Sequence, residues 1–363
     1  METKCLRYYS DADLFTLKLP QRTQTCLSVR AGGDGSLFET MRQEIANLGG
    51  TVLSQFVMAG CQHYGQGIAE MGEVTWPLTW IQGDACLRGQ VYSSQILSIS
   101  STEVTPIILD GERVGYRYED DSASFCQLSG LKPVDTTATR REQARSLFER
   151  MAAALEMAGM QFTDTVRTWL YLDRLLEWYD EFNCVRTAFF KEQRVFDRMV
   201  PASTGIGAAN PWGAAVLADL LAVKPKGAGC RIEAVASPLQ CPALDYKSSF
   251  SRAVELSFTT HRQLLISGTA SIAPDGGSVH TGDTEAQIEL TMRVVREILQ
   301  SRGMDWNDLS RGIAYFKNRA DVVLWEDWAA SNGVPRFSLA ISHADICRDD
   351  LFFEIEVDAI RIQ

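Results

Sequence analysis

The residues best suited to chemistry stand at the end of the 363-residue chain, in the run ADICRDDLFFEIEVDAIRIQ, residues 344–363. Glu354, Glu356 and Asp358 are spaced two apart there. Alternate residues of an extended strand share a face. Three carboxylates would therefore line one side of a last strand, with Phe353, Ile355, Val357 and Ala359 on the other. A carboxyl that is desolvated or crowded by like charge keeps its proton well above the usual carboxylate range. In a cleft, such a group donates protons or activates water. A row of acids on a solvated face does neither, and the pattern by itself leaves both readings open. Cations able to hold a substrate carboxylate are Arg252, Arg336, Arg348, Lys317 and Arg319. A bidentate arginine is the natural carboxylate partner.

Composition narrows the classes. The net charge is −11 and no dense Lys/Arg run occurs, which disfavours a nucleic-acid partner. No apolar stretch approaches the roughly 20 residues that span a bilayer. METKCLRYYSDADLF has no apolar signal-peptide core, so a cytoplasmic protein without a membrane partner is expected. Nine scattered cysteines without a C-x-x-C pair read as reduced thiols, and the four histidines are isolated. No metal and no cofactor are expected. GGDGS (residues 32–36) and PDGGS (residues 274–278) lack the Walker lysine and the full glycine fingerprint; the second reads as a hairpin turn.

The elements that must carry the acids come from an internal repeat. AGMQFTDTVRTWLYL (residues 158–172) aligns with RGMDWNDLSRGIAYF (residues 302–316) in one register. Gly159 matches Gly303, Asp164 matches Asp308, Arg167 matches Arg311 and Tyr171 matches Tyr315. Each copy follows an amphipathic helix, with capping boxes expected at Thr139/Glu142 and Thr284/Gln287. Gly159 and Gly303 stand where a left-handed C-terminal cap belongs. Each unit reads strand–strand–helix–strand–helix–strand–strand, an α+β pattern with helices on one face of a mixed sheet. The organisation expected is units at 114–226 and 240–363 after an N-terminal region, 1–113, whose length permits a degenerate third unit but which shows no residue register with the other two. The N-terminal region offers one helix over residues 36–50 and a strand in TVLSQFVMA; YGQGIAEMGEVTWPLTWIQGD reads as irregular.

With LLISGTASI, RGMDWNDL and CRDDLFFEIEVDAI on the page, the unit resembles the Rid (YjgF) superfamily. SGTASI together with the closing CRDDL-x-x-EIE is similar to the chorismatases. The resemblance implies tandem chorismate-mutase-like units in a pseudo-trimer, with sites in the clefts between units. It further implies cleavage of the enolpyruvyl ether of chorismate or a related carboxylated enol ether, in secondary metabolism. The first glutamate of EIE, Glu354, is then the proton donor or relay. Cys347, seven residues earlier, is similar to the cysteine of the hydroxybenzoate-forming branch. Arg336 in VPRFS falls near the carboxylate-binding arginine, while FSRA nominates Arg252, with Tyr246 nearby; Arg348 is a further anchor. The middle unit has PASTGIG without that arginine and Leu217 in place of the glutamate, so one complete site is expected. Two alternatives stay open: imine or enamine hydrolysis by the same carboxylate, and a non-catalytic small-molecule-binding protein. A homo-oligomer is compatible with each.

Overall fold

The computed structural model describes residues 2–8, 12–30, 37–83, 93–246 and 248–363. Among them the chain forms three six-stranded sheets. The first contains β1 (Thr3–Tyr8), β2 (Ala12–Lys18), β3 (Thr23–Arg30), β4 (Thr51–Met58), β5 (Leu78–Ile81) and β6 (Ser93–Ser100). Helices α1 (Leu37–Leu48) and α2 (Tyr64–Met71) belong to it. The second contains β7 (Val104–Leu109), β8 (Glu112–Glu119), β9 (Ala123–Leu131), β10 (Thr165–Leu172), β11 (Ala202–Gly207) and β12 (Val216–Pro225). Its helices are α3 (Arg140–Met157) and α4 (Tyr179–Glu192). The third contains β13 (Cys230–Val235), β14 (Ala253–Phe258), β15 (His261–Ala270), β16 (Leu309–Phe316), β17 (Ser338–His343) and β18 (Phe353–Ile362). Helices α5 (Thr284–Ser301) and α6 (Val322–Ser331) complete the chain.

All three sheets place their strands in the order first, second, third, sixth, fourth, fifth. This is the α+β architecture expected of tandem units, and the N-terminal region has the same strand order as the other two. Its supposedly irregular stretch contains α2 and β5. The leading strands β7 and β13 precede the unit starts at 114 and 240 that the repeat suggested. GGDGS lies outside the described residues.

Local signals account for most boundaries. Thr139 and Glu142 cap α3 reciprocally, and Gly159 and Gly303 adopt φ of 71° and 67°. At α5 the cap differs from expectation. The Asp283 carboxylate accepts from the Ala286 N–H, so Thr284 is already helical. Gln287 is instead buried. Its amide donates to the Asp350 carbonyl, and its oxygen accepts from the Phe352 N–H just before β18. Gln143 of α3 does the same for the Ala215 N–H before β12. A buried glutamine in each helix thus fixes the entry of the closing strand.

Helices cover one face of each sheet, and the opposite faces meet. One apolar cluster draws Phe56 and Met58 from the first sheet, Trp169 and Tyr171 from the second, and Ile313 and Tyr315 from the third. β18 is therefore buried on both faces. Phe353, Ile355, Val357 and Ala359 pack with α5, as the alternation predicts. Glu354, Glu356 and Asp358 point toward the other units rather than toward water, with exposures of 4, 0 and 5%. No helix among the described residues is long and apolar enough to cross a membrane.

Candidate active site

Strand registers superpose the three units residue by residue. Glu354 lies opposite Tyr315, Leu217 opposite Tyr171, and Ser93 opposite Met58. By the same pairing, Glu356 corresponds to Asp219 and Gln95, and Asp358 to Leu221 and Leu97. The register slips at Val52/Ser54, at Thr165/Arg167 and at Leu309/Arg311. A bulge at that point re-aims the following side chain. It turns Arg167 and Arg311 into the shared interior.

Glu356 is the hub there. It accepts hydrogen bonds from Arg167 (2.8 Å), Arg311 (2.5 Å), Trp169 Nε1 (2.7 Å) and Thr204 Oγ1 (2.5 Å). Burial alone would raise its pKa, but the Arg167 and Arg311 guanidiniums and these donors hold it below the usual carboxylate range. Asp219 occupies the same place one unit earlier, bonded by Thr79 of the first unit. Each inner acid thus bonds the threonine of the preceding unit. Gln95, the third member, donates to the Gly312 carbonyl and accepts from Arg311. A cavity of ≈ 100 Å³ in this interior is lined by Arg311 and Asp358 but not by Glu354.

Glu354 faces elsewhere, into a cleft of ≈ 190 Å³ between the second and third units. The second unit contributes Tyr179, Asp180, Asn183 and Arg186 from α4, with Ser203 and Gly205 from β11. The third contributes Tyr246, Ser248, Phe250, Arg252, Gly268, Ala270, Ile272, Cys347, Arg348 and Glu354. Among the described residues no hydrogen bond reaches the Glu354 carboxyl. Burial first, and Glu356 second, raise its pKa to about 8. At neutral pH the carboxyl holds its proton. The Cys347 thiol, desolvated and beside Glu354, is pushed up to about 12, so it is a neutral wall rather than a thiolate.

Gly268 makes the carboxyl's place. A Cβ at position 268 would overlap Glu354 Oε1. Gly268→Ala is therefore expected to swing the carboxyl out of line and lower turnover by roughly 10–100-fold, in keeping with the sensitivity of positioned groups. Steady-state kinetics beside a thermal melt would check this; an unchanged kcat would contradict it.

Three guanidiniums line the same cleft without a carboxylate partner among the described residues. Arg252 gives Nε and Nη2 to the Cys241 carbonyl, and Arg348 gives Nη1 to Ser278. Both lie over the Tyr246 ring, 5.4 and 5.7 Å from its centroid. Arg186 is 2% exposed; its Nη2 donates to Asn183 Oδ1 and Ser248 Oγ, and its Nε has no partner. A desolvated cation so placed is suited to an anionic ligand.

Of the residues singled out from sequence, Glu354, Arg252, Cys347, Arg348 and Tyr246 come together in this cleft. Arg336 does not, which corrects the expectation. Its Nε pairs with Asp13 of the first unit at 2.5 Å. The reason is the cyclic order of units. The segment before β17 faces the first unit, whereas Glu354 faces β11 of the second. Register places Val200, not an arginine, at the matching point before β11. Arg186 and Asn183 were missed, and Tyr179, an aromatic of EWYDEFN that could line a pocket or pack in the core, does line the cleft. The available signal was an arginine in the apolar stripe of α4, one turn from the buried Phe182 and three residues before Phe189.

The fold and the cleft define three fused α+β units of one strand order and, among the described residues, an acid-bearing cleft between the second and third units. Residues 107–220 match the family model described as "Chorismatase FkbO/Hyg5-like, N-terminal", which falls on the second unit. The chain resembles chorismatases in sequence too. It is 29% identical over 221 residues to a chorismatase of Streptomyces rapamycinicus, covering 54% of this chain and 64% of that one. It is 27% identical over 213 residues to a chorismatase of Streptomyces hygroscopicus, covering 52% and 60%. The chain thus spans less than two-thirds of the length of these curated relatives. A chorismatase crystal structure superposes with a TM-score of 0.63 at 19% identity, over 93% of this chain and 98% of that one, and so shares its fold.

Proposed function

We propose that the protein is a chorismatase-like enzyme that cleaves the enolpyruvyl ether of chorismate or of a related carboxylated enol ether. The observation that carries this reading is a protonated, desolvated Glu354 in a cleft whose other charged lining includes three arginines without carboxylate partners. Arg186, Arg252 and Arg348 bind the substrate carboxylates and set the enol ether against Glu354. The carboxyl protonates the methylene carbon, making a methyl group and an oxocarbenium ion. Water adds to that cation and returns a proton to Glu354. The hemiketal then collapses, breaking the bond to the ring oxygen and releasing pyruvate and a ring hydroxyl. Every proton is accounted for by one carboxyl group and one water.

An acid whose pKa lies near the working pH is the efficient choice for such a transfer. The purified protein is expected to release pyruvate from chorismate, read with a coupled lactate dehydrogenase assay. Intact chorismate after prolonged incubation would sink the reading. Ammonia release from an imine would replace it with the hydrolase alternative.

A further inference from the structure

Asp180 is a carboxylate that the proposed mechanism does not use. It sits in the first turn of α4, where an acid suits the helix dipole. Yet it lines the Glu354 cleft. It also lines an adjoining groove that continues past Tyr179 and Cys347 toward Leu176 and Trp178. Among the described residues it has neither an ion pair nor a hydrogen bond. The other charged groups of the lining are Glu354 and the three arginines, and the arginines keep nitrogens free for a ligand after their protein contacts. Arg186 spends Nη2 on Asn183 and Ser248, and Arg252 spends two nitrogens on Cys241. Glu354 is protonated near neutral pH. Asp180, exposed at the rim, is therefore the one carboxylate besides Glu354 among the described lining residues of a cleft that holds three arginines.

We propose that Asp180 is a specificity-determining residue that accepts a hydrogen bond from a donor substituent, hydroxyl or amino, on the ring of the dicarboxylate substrate. This rests on the dicarboxylate reading of the cleft and deepens it. The arginines fix where the carboxylates lie. Asp180 repels a carboxylate from its own wall and rewards a donor there, so the ligand enters in one orientation. A polar group built to pair with a ligand donor discriminates strongly against the analogue that lacks it.

The test measures binding by calorimetry in the Glu354→Gln background, where the ligand is not consumed. Three probes are used: chorismate, its 4-amino-4-deoxy analogue, and 3-(1-carboxyvinyloxy)benzoate, an aromatic enol ether with neither donor. Asp180→Ala is expected to weaken the two donor-bearing ligands roughly 10–100-fold while leaving the donor-free one within about threefold, or tighter. Asp180→Asn keeps an acceptor without charge, so it should spare the hydroxyl ligand and penalise the ammonium one. A common factor for all three ligands, or no change with only a lowered melting temperature, would assign Asp180 to the helix terminus and overturn the proposal. Failure of the Asp180-intact protein to bind any of the three would overturn the dicarboxylate reading itself, which is a separate outcome.

Discussion

Glu354→Gln is expected to lower pyruvate release from chorismate by about 10²–10⁴-fold, the range a positioned general acid contributes. The exchange keeps the shape and removes the transferable proton. Ligand affinity should change little, because the arginines that hold the carboxylates are untouched. The loss therefore falls on kcat rather than KM. In the wild type, kcat/KM should be level through neutral pH and fall as pH rises through about 8, where the carboxyl loses its proton. A profile falling instead with an ordinary carboxylate's pKa would remove Glu354 as the acid.

The same shift has a stability signature of known sign. The folded-state pKa of Glu354 lies above its ordinary value of 4.5, so the folded state binds the proton more tightly. The associated stability is fully present below the ordinary value and is lost as pH rises through about 8. Glu354→Gln, which cannot ionise, should therefore melt higher relative to wild type at pH 9 than at pH 5. Kinetics and melting report the same proton through independent measurements.

Much of this was legible in the sequence, for identifiable reasons. Helix caps, glycine C-caps and strand alternation are local, and they placed the elements of the last two units. The matching of Leu217 to Glu354 needed only the repeat, and the strand registers bear it out. What sequence could not supply was which unit faces which. Arg336 was nominated by motif, but the cyclic packing sends it to Asp13. Arg186 carries no motif of its own, and only the packing of the second unit on the third brings it into the cleft that Glu354 lines. The burial of all three acids also lay beyond the strand pattern, because period-two alternation states that acids share a face and not what covers that face.

Arg167→Leu separates the structural carboxylate from the chemical one, and a loss of about 3–5 kcal/mol is expected. Arg167 is fully buried, pairs with Glu356 at 2.8 Å, and lies over the Trp169 ring at 5.1 Å. Removing it strips Glu356 of a charged donor while leaving that carboxylate without access to water. The deficit should appear as a melting temperature lower by roughly 5–10 °C at neutral pH. Its pH dependence runs opposite to that of Glu354. The Glu356 pKa is held below the ordinary value despite burial, so its stabilisation is present above that value and disappears as pH falls through the folded-state pKa. The gap between Arg167→Leu and wild type should therefore narrow on acidification. Adding Glu356→Gln should restore part of the stability, since the uncompensated charge is then gone. If the single variant melts like wild type, or if the double variant is worse by the full sum of the two, Glu356 is not the hub that ties the second unit to the third. Such an outcome would also weaken the case for Glu354, because the Glu356 charge is one of the two causes that keep its carboxyl protonated.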